Sequence, residues 1–314
     1  MTTETTPVRI SNSEVQTFKD CRRRWWLTYY RRLKPKITEF TGALALGSRI
    51  HEALDRHYST GQDLLEAHAD LVKEDMKKLQ DEFRDTSALE ADADLGRVML
   101  EGYLEWVEQE GIDAELEMIS TEEILERPMM DGKVILQGKI DMRVRRKIDG
   151  ARMIRDFKTV GGSFADFGAM SHMNEQVKTY MLLDEVQEGQ EGERTDGAIF
   201  TMLRKVKRGA YAKPPFYDQI EVRHNRFTLR AFLEQLEGVL SDMLDVREAL
   251  DNGESHFRHA YPKPSRDCKW KCQFFAICPL FDDGSAAEAA LSDAFESSDP
   301  YGYYGIEEKK GSEE

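Results

Sequence analysis

The sequence predicts an α/β fold, on the strength of three observations. Apolar and polar residues alternate through Lys133–Thr159, which indicates a pair of strands. Two further strand-like runs follow at about 197–203 and 217–223. Helical periodicity precedes and follows these strands, and its longest stretch covers about 226–250. With 314 residues, 40% of them hydrophobic, the chain can bury a substantial core.

The helices that precede the strand pair carry recognisable start signals. The motif S-N-S-E at 11–14 has the form of a capping box and predicts a helix to about Arg32. Gly47 precedes a second predicted helix, which carries His51. A lone histidine beside apolar positions is either a hydrogen-bonded structural residue or a ligand. Residues 60–126 are interpreted as two or three charged helices that form an insertion.

The central strands are predicted to form a hairpin closed by a type I′ turn at Asp149-Gly150, a dipeptide that tolerates positive φ angles. That turn would place Asp141 opposite Lys158, and Asp156 on the same face. The other face is apolar and comprises Val134, Leu136, Ile140, Met142, Val144 and Phe157. Two carboxylates and an ammonium would converge, which outlines a site for a hard divalent cation. The alternative is a solvated face with an ordinary salt bridge.

Past the hairpin, a flexible connection at 160–163 leads to a helix predicted from about Asn174 to Val186. Gln176 and Tyr180 are spaced i and i+4 and therefore share a face of that helix. A surface glutamine and a core tyrosine would give the same pattern. Basic runs at 22–24 and 204–208 are either phosphate contacts or solvated faces.

The net charge of −15 at first argues against a nucleic-acid partner, but it is unevenly distributed. Residues 60–126 carry a net charge of −16 and residues 285–314 carry −6, so the remainder carries +7. That remainder contains every motif described here and is compatible with a polyanionic partner. The acidic tail, 285–314, is predicted to be disordered, with a short helix over Ala287, Leu291 and Phe295 as the alternative.

No apolar run approaches the roughly 18 residues of a membrane span, and the amino terminus lacks signal-peptide order. A cytoplasmic protein without a membrane partner is therefore expected. Three of the four cysteines, Cys268, Cys272 and Cys278, lie within eleven residues and end in C-P. This density is typical of metal or cluster ligands, and Cys21 is the only other thiol that could complete a set of four. Unrelated buried cysteines are the alternative.

In this order, these residues resemble the PD-(D/E)XK nuclease superfamily, and within it the RecB-like nucleases, which include CRISPR-associated and phage-encoded exonucleases. The resemblance spans Cys21 to Cys278. It implies a restriction-endonuclease-like fold, a mixed central sheet flanked by helices, with a helical insertion and a C-terminal cysteine-rich iron–sulfur region. One nuclease domain is expected over 1–284.

The same resemblance implies roles for individual residues. Those matching the family's ligands for Mg²⁺ or Mn²⁺ are His51, Asp141, Asp156 and the carbonyl of Phe157. Lys158 matches the catalytic lysine, and Gln176 and Tyr180 match a Q-x-x-x-Y motif that positions substrate or the lysine. The residues matching ligands of a [4Fe–4S] cluster are Cys21, Cys268, Cys272 and Cys278. Three residues separate Cys268 from Cys272 where the family has two, which leaves the cluster type open, with zinc as the less favoured alternative.

The implied function is metal-dependent DNA cleavage, exonucleolytic on single strands or duplex ends, in recombination, repair or DNA processing. The competing function is a non-catalytic DNA-binding or assembly subunit that retains the fold. The presence of Asp141, Asp156 and Lys158 favours catalysis. A protein partner could bind the acidic tail.

Overall fold

The computed structural model describes residues 6–37, 39–185, 194–209 and 211–304. The strands of this part of the chain are β1 (Val8–Ser11), β2 (Leu33–Pro35), β3 (Leu116–Met129), β4 (Val134–Arg146), β5 (Arg152–Val160), β6 (Gly197–Arg204), β7 (Tyr217–Val222) and β8 (Phe295–Ser297). Its helices are α1 (Asn12–Asp20), α2 (Arg22–Trp25), α3 (Gly42–Thr60), α4 (Leu64–Asp81), α5 (Ser87–Glu110), α6 (Phe164–Ser171), α7 (Glu175–Leu183), α8 (Arg226–Asp251), α9 (His256–His259), α10 (Cys268–Lys271) and α11 (Ala287–Ala294). None of these helices is long and apolar enough to cross a membrane.

The chain divides into two compact units, each assembled from separate segments. Unit 1 comprises the described parts of Met1–Thr38, Glu126–Gln137 and Ala231–Glu314. Unit 2 comprises the described parts of Glu39–Leu125 and Gly138–Arg230. The sequence predicts one domain over 1–284, whereas this span contributes to both units.

Six of the described strands form the predicted mixed sheet, against which helices pack, and β2 and β8 form a separate two-stranded sheet. In unit 1, β1 pairs in parallel with the first residues of β4, Val8 opposite Val134. In unit 2, β4 pairs antiparallel with β5, β5 parallel with β6, and β6 antiparallel with β7. Strands β6 and β7 confirm the predictions at 197–203 and 217–223, and α8 confirms the long helix.

The hairpin between β4 and β5 differs from its prediction. Met142 lies opposite Arg155 rather than Phe157, so the loop covers four residues, 147–150. Gly150 is the one residue of this loop with a positive φ, 72°, whereas a type I′ turn requires two. Asp149 Oδ1 instead accepts the Ala151 N–H at 3.1 Å. The register error is two residues, and because side chains alternate with a period of two, the predicted faces survive.

The helices of 60–126 belong to the core of unit 2. Their buried residues Leu64, Met99 and Tyr103 pack in one cluster with Met142 and Phe157 of the hairpin. The region also ends in a strand, β3, which the helical interpretation missed. The predicted helices are therefore confirmed as α4 and α5, and the helical interpretation is wrong from Leu116 onward, where β3 begins.

Two helix boundaries in unit 2 also differ from prediction. Helix α3 begins at Gly42, whose N–H donates to Asp92 Oδ2 at 2.6 Å, so Gly47 lies inside the helix. A Cβ atom at Gly47 would come within 3.0 Å of Thr159 Oγ1, which explains the glycine there. Helix α6 was not predicted, and α7 ends at Leu183. The predicted end at Val186 lies outside the described residues.

In unit 1, the predicted N-terminal helix is broken at Cys21. Ser11 Oγ accepts the Glu14 N–H at 3.2 Å, which confirms the cap. The helix ends at Asp20 rather than Arg32, because Cys21 is extended (φ −163°, ψ 110°) before α2 begins. Helix α2 continues as a π-helical turn over Trp26–Tyr30.

Glu14 does not complete the capping box but anchors the core of unit 1. Its fully buried carboxylate accepts hydrogen bonds from Trp25 Nε1 at 2.8 Å and Arg247 Nη2 at 2.6 Å, and also from Tyr301. Burial raises the pKa of Glu14 above its ordinary value, and the charge of Arg247 opposes that shift. These contacts join α1 to α8 and to the C-terminal segment.

Part of the predicted disordered tail is ordered. Helix α11 buries Leu291, and β8 pairs antiparallel with β2, Phe295 opposite Pro35. Glu288 pairs with Arg31 at 2.8 Å. The alternative of a short helix is therefore confirmed for Ala287 and Leu291, and the predicted disorder is wrong for 285–304. Residues 305–314 lie outside the described part of the chain.

Candidate active site and cysteine-lined cavity

Helix α3 and strands β4 and β5 bring His51, Asp141 and Phe157 together in unit 2. His51 Nδ1 lies 3.5 Å from Asp141 Oδ2. The same oxygen accepts the backbone N–H of Phe157 at 3.0 Å, which ties β4 to β5 at this point. Burial raises the pKa of Asp141, but His51 and Lys158 outweigh it and hold that pKa below its ordinary value. Asp141 is therefore an anionic carboxylate at neutral pH.

Asp156 and Lys158 form a buried ion pair on β5. Asp156 is 3% exposed, and its Oδ2 lies 2.6 Å from Lys158 Nζ. Apart from this ion pair, the buried Oδ2 has no hydrogen bond of good geometry. Burial raises the pKa of Asp156, and Lys158 opposes the rise. Burial lowers the pKa of Lys158, but the charge of Asp156 outweighs it and raises that pKa above its ordinary value.

Two side chains of α7 form a series of hydrogen bonds that ends at Lys158. Lys158 Nζ donates to Gln176 Oε1 at 3.1 Å, and Gln176 Nε2 donates to Tyr180 Oη at 2.8 Å. The spacing of i and i+4 places both side chains on one face of α7. The ammonium is thus oriented by Asp156 on one side and by Gln176 on the other.

Gly138, which the sequence analysis missed, allows α7 to approach β4. A Cβ atom there would come within 2.8 Å of Leu183 Cδ1 and 2.9 Å of Tyr180 Cε1. Any larger residue would displace the helix that carries Gln176. The signal was present in the sequence as a glycine inside a predicted strand, which often marks a close approach.

A second missed residue is Asp55, one helical turn after His51. Its Oδ1 atom is buried without a hydrogen-bond partner. Burial raises the pKa of Asp55 to about 6, and the negative charges of Glu122, Glu52 and Asp141 add to the effect. The H-x-x-x-D spacing could have indicated that both side chains share a helix face.

In the described part of the chain, no group of three or more His, Cys, Asp or Glu side chains is placed so that it could hold a metal ion as it stands. The residue types nevertheless fit a hard divalent cation, since two carboxylates and an imidazole lie together. The buried Asp156 Oδ2, which lacks a donor, is an acceptor that a cation could satisfy.

In unit 1, the four cysteines line one cavity of about 210 Å³. They are free thiols, each partly buried. Three of their sulfur atoms have N–H groups nearby: Lys263 N is 3.4 Å from Cys21 Sγ, Ser265 N is 3.3 Å from Cys268 Sγ, and Arg23 Nη1 is 3.8 Å from Cys278 Sγ. Burial raises the pKa of Cys272 and of Cys278. The four cysteines predicted as ligands thus line the same cavity, although no three of them are placed to hold a metal ion as they stand.

Arg23 closes this region rather than facing solvent. It is 1% exposed and pairs with both carboxylate oxygens of Asp282, at 2.7 and 2.9 Å. Its Nη1 also donates to the Cys278 carbonyl at 3.1 Å. Neighbouring Arg22 lies 3.5 Å from Asp242, and Arg24 lies 3.1 Å from Asp20. The interpretation of 22–24 as a phosphate-contacting face is therefore wrong for Arg23.

The basic loop at 204–208 is also partly engaged within unit 2. Arg208 donates to Tyr217 Oη at 2.7 Å and lies 3.6 Å from the centre of the Phe216 ring. Lys205 Nζ donates to the Ala43 carbonyl at 3.3 Å. These contacts leave fewer charges for a polyanion than the sequence suggests.

The geometry of unit 2 defines a class of site: an Asp on one strand, a D-x-K motif on the next, and a Q-x-x-x-Y helix behind the lysine. A family model described as the PD-(D/E)XK nuclease superfamily matches residues 9–279. The chain belongs to the PD-(D/E)XK nuclease superfamily. Members of this superfamily are generally nucleases. No curated protein sequence matches the chain at a significant level.

Two solved structures are similar in part. One is a candidate exonuclease from Eubacterium rectale, 13% identical, with 84% of this chain and 93% of that chain covered and a TM-score of 0.46. The other is the protein SSO0001, 16% identical, with 74% and 95% covered and a TM-score of 0.33. TM-scores at this level carry no argument about function.

Proposed function

We propose that this protein is a divalent-metal-dependent deoxyribonuclease, and specifically an exonuclease that hydrolyses phosphodiester bonds of single strands or duplex ends. The observation that carries the proposal is the arrangement of Asp141, Asp156 and Lys158 on adjacent strands of a superfamily member. Gln176 and Tyr180 support it, because their hydrogen bonds end at the lysine.

Each residue has a distinct role in the proposal. His51, Asp141, Asp156 and the Phe157 carbonyl would hold Mg²⁺ or Mn²⁺. When bound, such a cation acidifies a coordinated water and polarises the phosphoryl oxygens. Lys158 remains an ammonium because its pKa is raised, so it suits the stabilisation of developing negative charge rather than proton abstraction. Gln176 and Tyr180 act as positioning residues for that ammonium.

We further propose that the protein is of the RecB-like, phage-encoded iron–sulfur type, with a [4Fe–4S] cluster held by Cys21, Cys268, Cys272 and Cys278. The shared cavity supports this, because all four cysteines line it and Cys thiolates are the ligands of such clusters. The N–H groups near three sulfurs would stabilise thiolates. The cluster would be structural and would fasten α10 to the break between α1 and α2. Recombination or repair is the proposed process, in the cytoplasm, and a protein partner for the C-terminal residues remains a prediction.

The test is digestion of end-labelled single-stranded and double-stranded DNA with Mg²⁺, Mn²⁺ or a chelator. We expect mononucleotide or short-oligonucleotide release with either metal and none with the chelator. DNA binding without cleavage under every condition would instead support the non-catalytic DNA-binding subunit.

A further inference from the structure

Helix α10 displays a tryptophan on the outside of the cysteine-lined cavity. Cys268 begins this helix and Cys272 follows its end, and both line the cavity. Trp270, two residues after Cys268, lies on the opposite side of this single turn and is 78% exposed. Because its side chain is so exposed, Trp270 contributes little to the packing of unit 1.

The surroundings of Trp270 are basic and aromatic. Residues 258–275 contain five Lys or Arg and one Asp. Lys269 Nζ lies 5.2 Å from the centre of the Trp270 ring. Phe275 is 47% exposed in the same segment and lines the mouth of the cavity. Tyr261, also 47% exposed, has the Arg22 guanidinium 5.4 Å from its ring centre.

Positive charge interleaved with exposed aromatic rings matches the chemistry of single-stranded nucleic acid. Phosphates attract the cations, and unpaired bases stack on aromatic faces whatever their sequence. A duplex offers the phosphates without the free base faces. A four-residue helix with one exposed tryptophan buries too little apolar surface to anchor on a membrane.

We propose that Trp270, with Lys269 beside its ring, forms a stacking platform for the unpaired bases of single-stranded DNA. The proposal rests on the proposed nuclease function for its choice of DNA, and it deepens that function by naming the residue that would hold unpaired bases. Lys269 and its basic neighbours supply the phosphate contacts, and the cysteines fix the turn that presents the ring.

The experiment measures binding of fluorescein-labelled oligo(dT) by anisotropy, in a chelator so that no cleavage occurs. Trp270→Ala is expected to weaken binding about tenfold, and Trp270→Phe to retain most of it, because a phenyl ring still stacks. Binding of a blunt duplex should change less than about twofold. The matched control is Phe83→Ala, since Phe83 is 98% exposed but lies in the acidic region of unit 2.

Intrinsic fluorescence gives a second readout. Of the four tryptophans, Trp25 and Trp26 are buried, Trp106 is partly buried and Trp270 is exposed. Quenching by oligo(dT) should therefore fall sharply in Trp270→Phe, while the melting temperature stays unchanged. Equal oligo(dT) affinity in wild type and Trp270→Ala would overturn the platform, as would equal losses of single-strand and duplex binding. Failure of the nuclease function is separate: wild type would then not cleave DNA with Mg²⁺, whatever Trp270→Ala does to binding.

Discussion

The candidate active site of unit 2 and the cysteine-lined cavity of unit 1 both gather residues from distant parts of the chain, but by different means. In the active site, Asp156, Lys158, Gln176 and Tyr180 contact one another in sequence. In the cavity, the thiols face a common space and three of them contact N–H groups of the surrounding chain. The first arrangement carries its own framework. In the second, the proposed cluster would join the thiols. We therefore expect substitutions to alter chemistry in the active site and stability at the cavity.

The largest expected effect is on catalysis. Asp156→Ala should lower DNA cleavage by on the order of 10³-fold or more, because a lost metal ligand removes several kcal/mol of transition-state stabilisation. DNA affinity measured in chelator should change little, since phosphate contacts lie elsewhere. Asp166→Ala, which removes an exposed aspartate of the same unit, is the control. Near-normal turnover in Asp156→Ala would contradict the nuclease assignment.

The cavity should respond in the opposite way. Protein purified without oxygen should be brown, with absorption near ~400 nm, and Cys21→Ala should lose that colour as completely as Cys272→Ala. Both should melt several degrees lower, because a group joining residues so far apart in sequence restricts the unfolded chain. Full iron content in Cys21→Ala would remove Cys21 from the ligand set. A colourless wild type with one zinc would contradict the cluster and leave the nuclease site untouched.

Arg23 tests whether the basic run near the cavity is structural. Arg23→Met should lower the free energy of unfolding by about 1 to 2 kcal/mol, because the two hydrogen bonds to half-exposed Asp282 and the one to the Cys278 carbonyl are lost. The salt dependence of DNA binding should stay as in wild type. Arg24→Met is the matched control, since Arg24 pairs with Asp20 and is more exposed. A fall of about one in the log–log salt slope for Arg23→Met alone would restore it as a phosphate contact.

Unit 2 should also contain stability determinants that are independent of its site. His68 is 3% exposed, and burial lowers its pKa to about 4, helped by Arg49 and Arg97. The unfolded chain binds this proton below about pH 6.5 and the folded chain only below about 4, so stability falls as pH drops through that window.

The loss should reach up to about 1.4 kcal/mol per pH unit. His68→Gln should flatten this component, measured as urea unfolding at pH 7 and pH 5. Asp55 has a raised pKa, so its titration increases stability as the pH falls. The quantity to compare is therefore the change in unfolding free energy between pH 7 and pH 5, in His68→Gln and in wild type. Identical pH dependence in both proteins would show that His68 does not titrate in this way.

The smallest effect concerns the end of the hydrogen-bonded chain. Tyr180→Phe removes the hydroxyl that accepts from Gln176, which should lower cleavage about threefold to tenfold without changing Mn²⁺ affinity. Gln176→Ala should lower it further, and the double variant should be no worse than Gln176→Ala because the two act in series. Additive losses would mean that Tyr180 acts independently of the glutamine. Tyr211→Phe, at an exposed tyrosine, is the control.

Features that depend on residues close together in the sequence could be predicted from it. The strands, the long helix α8, and the grouping of Asp141, Asp156 and Lys158 follow from alternation and helical spacing. The helix break at Cys21 could not be read in the same way, because the flanking residues keep helical periodicity and the extended backbone depends on contacts far along the chain.

Long-range partners account for the other errors. Arg23 looks like any surface arginine until Asp282, more than 250 residues later, is placed beside it. Strand β3 is rich in glutamate and reads as a helix, but its pairing with β4 determines its structure. Gly138 and Asp55 were missed because their roles depend on side chains from other elements: Leu183 and Tyr180 lie against Gly138, and Glu122 and Asp141 lie near Asp55.

The four-residue loop at 147–150 has a consequence for how this site can vary. The side chains of β5 keep their faces whenever the loop changes length by an even number of residues, since pairing then shifts by whole pleat repeats. An odd insertion would exchange the faces of β5, sending Asp156 into the apolar core on the side of Met142, and Met153 out of it. Insertions or deletions that change the length of this loop by an even number of residues should therefore preserve the site, whereas odd changes should destroy it, largely whatever the loop sequence.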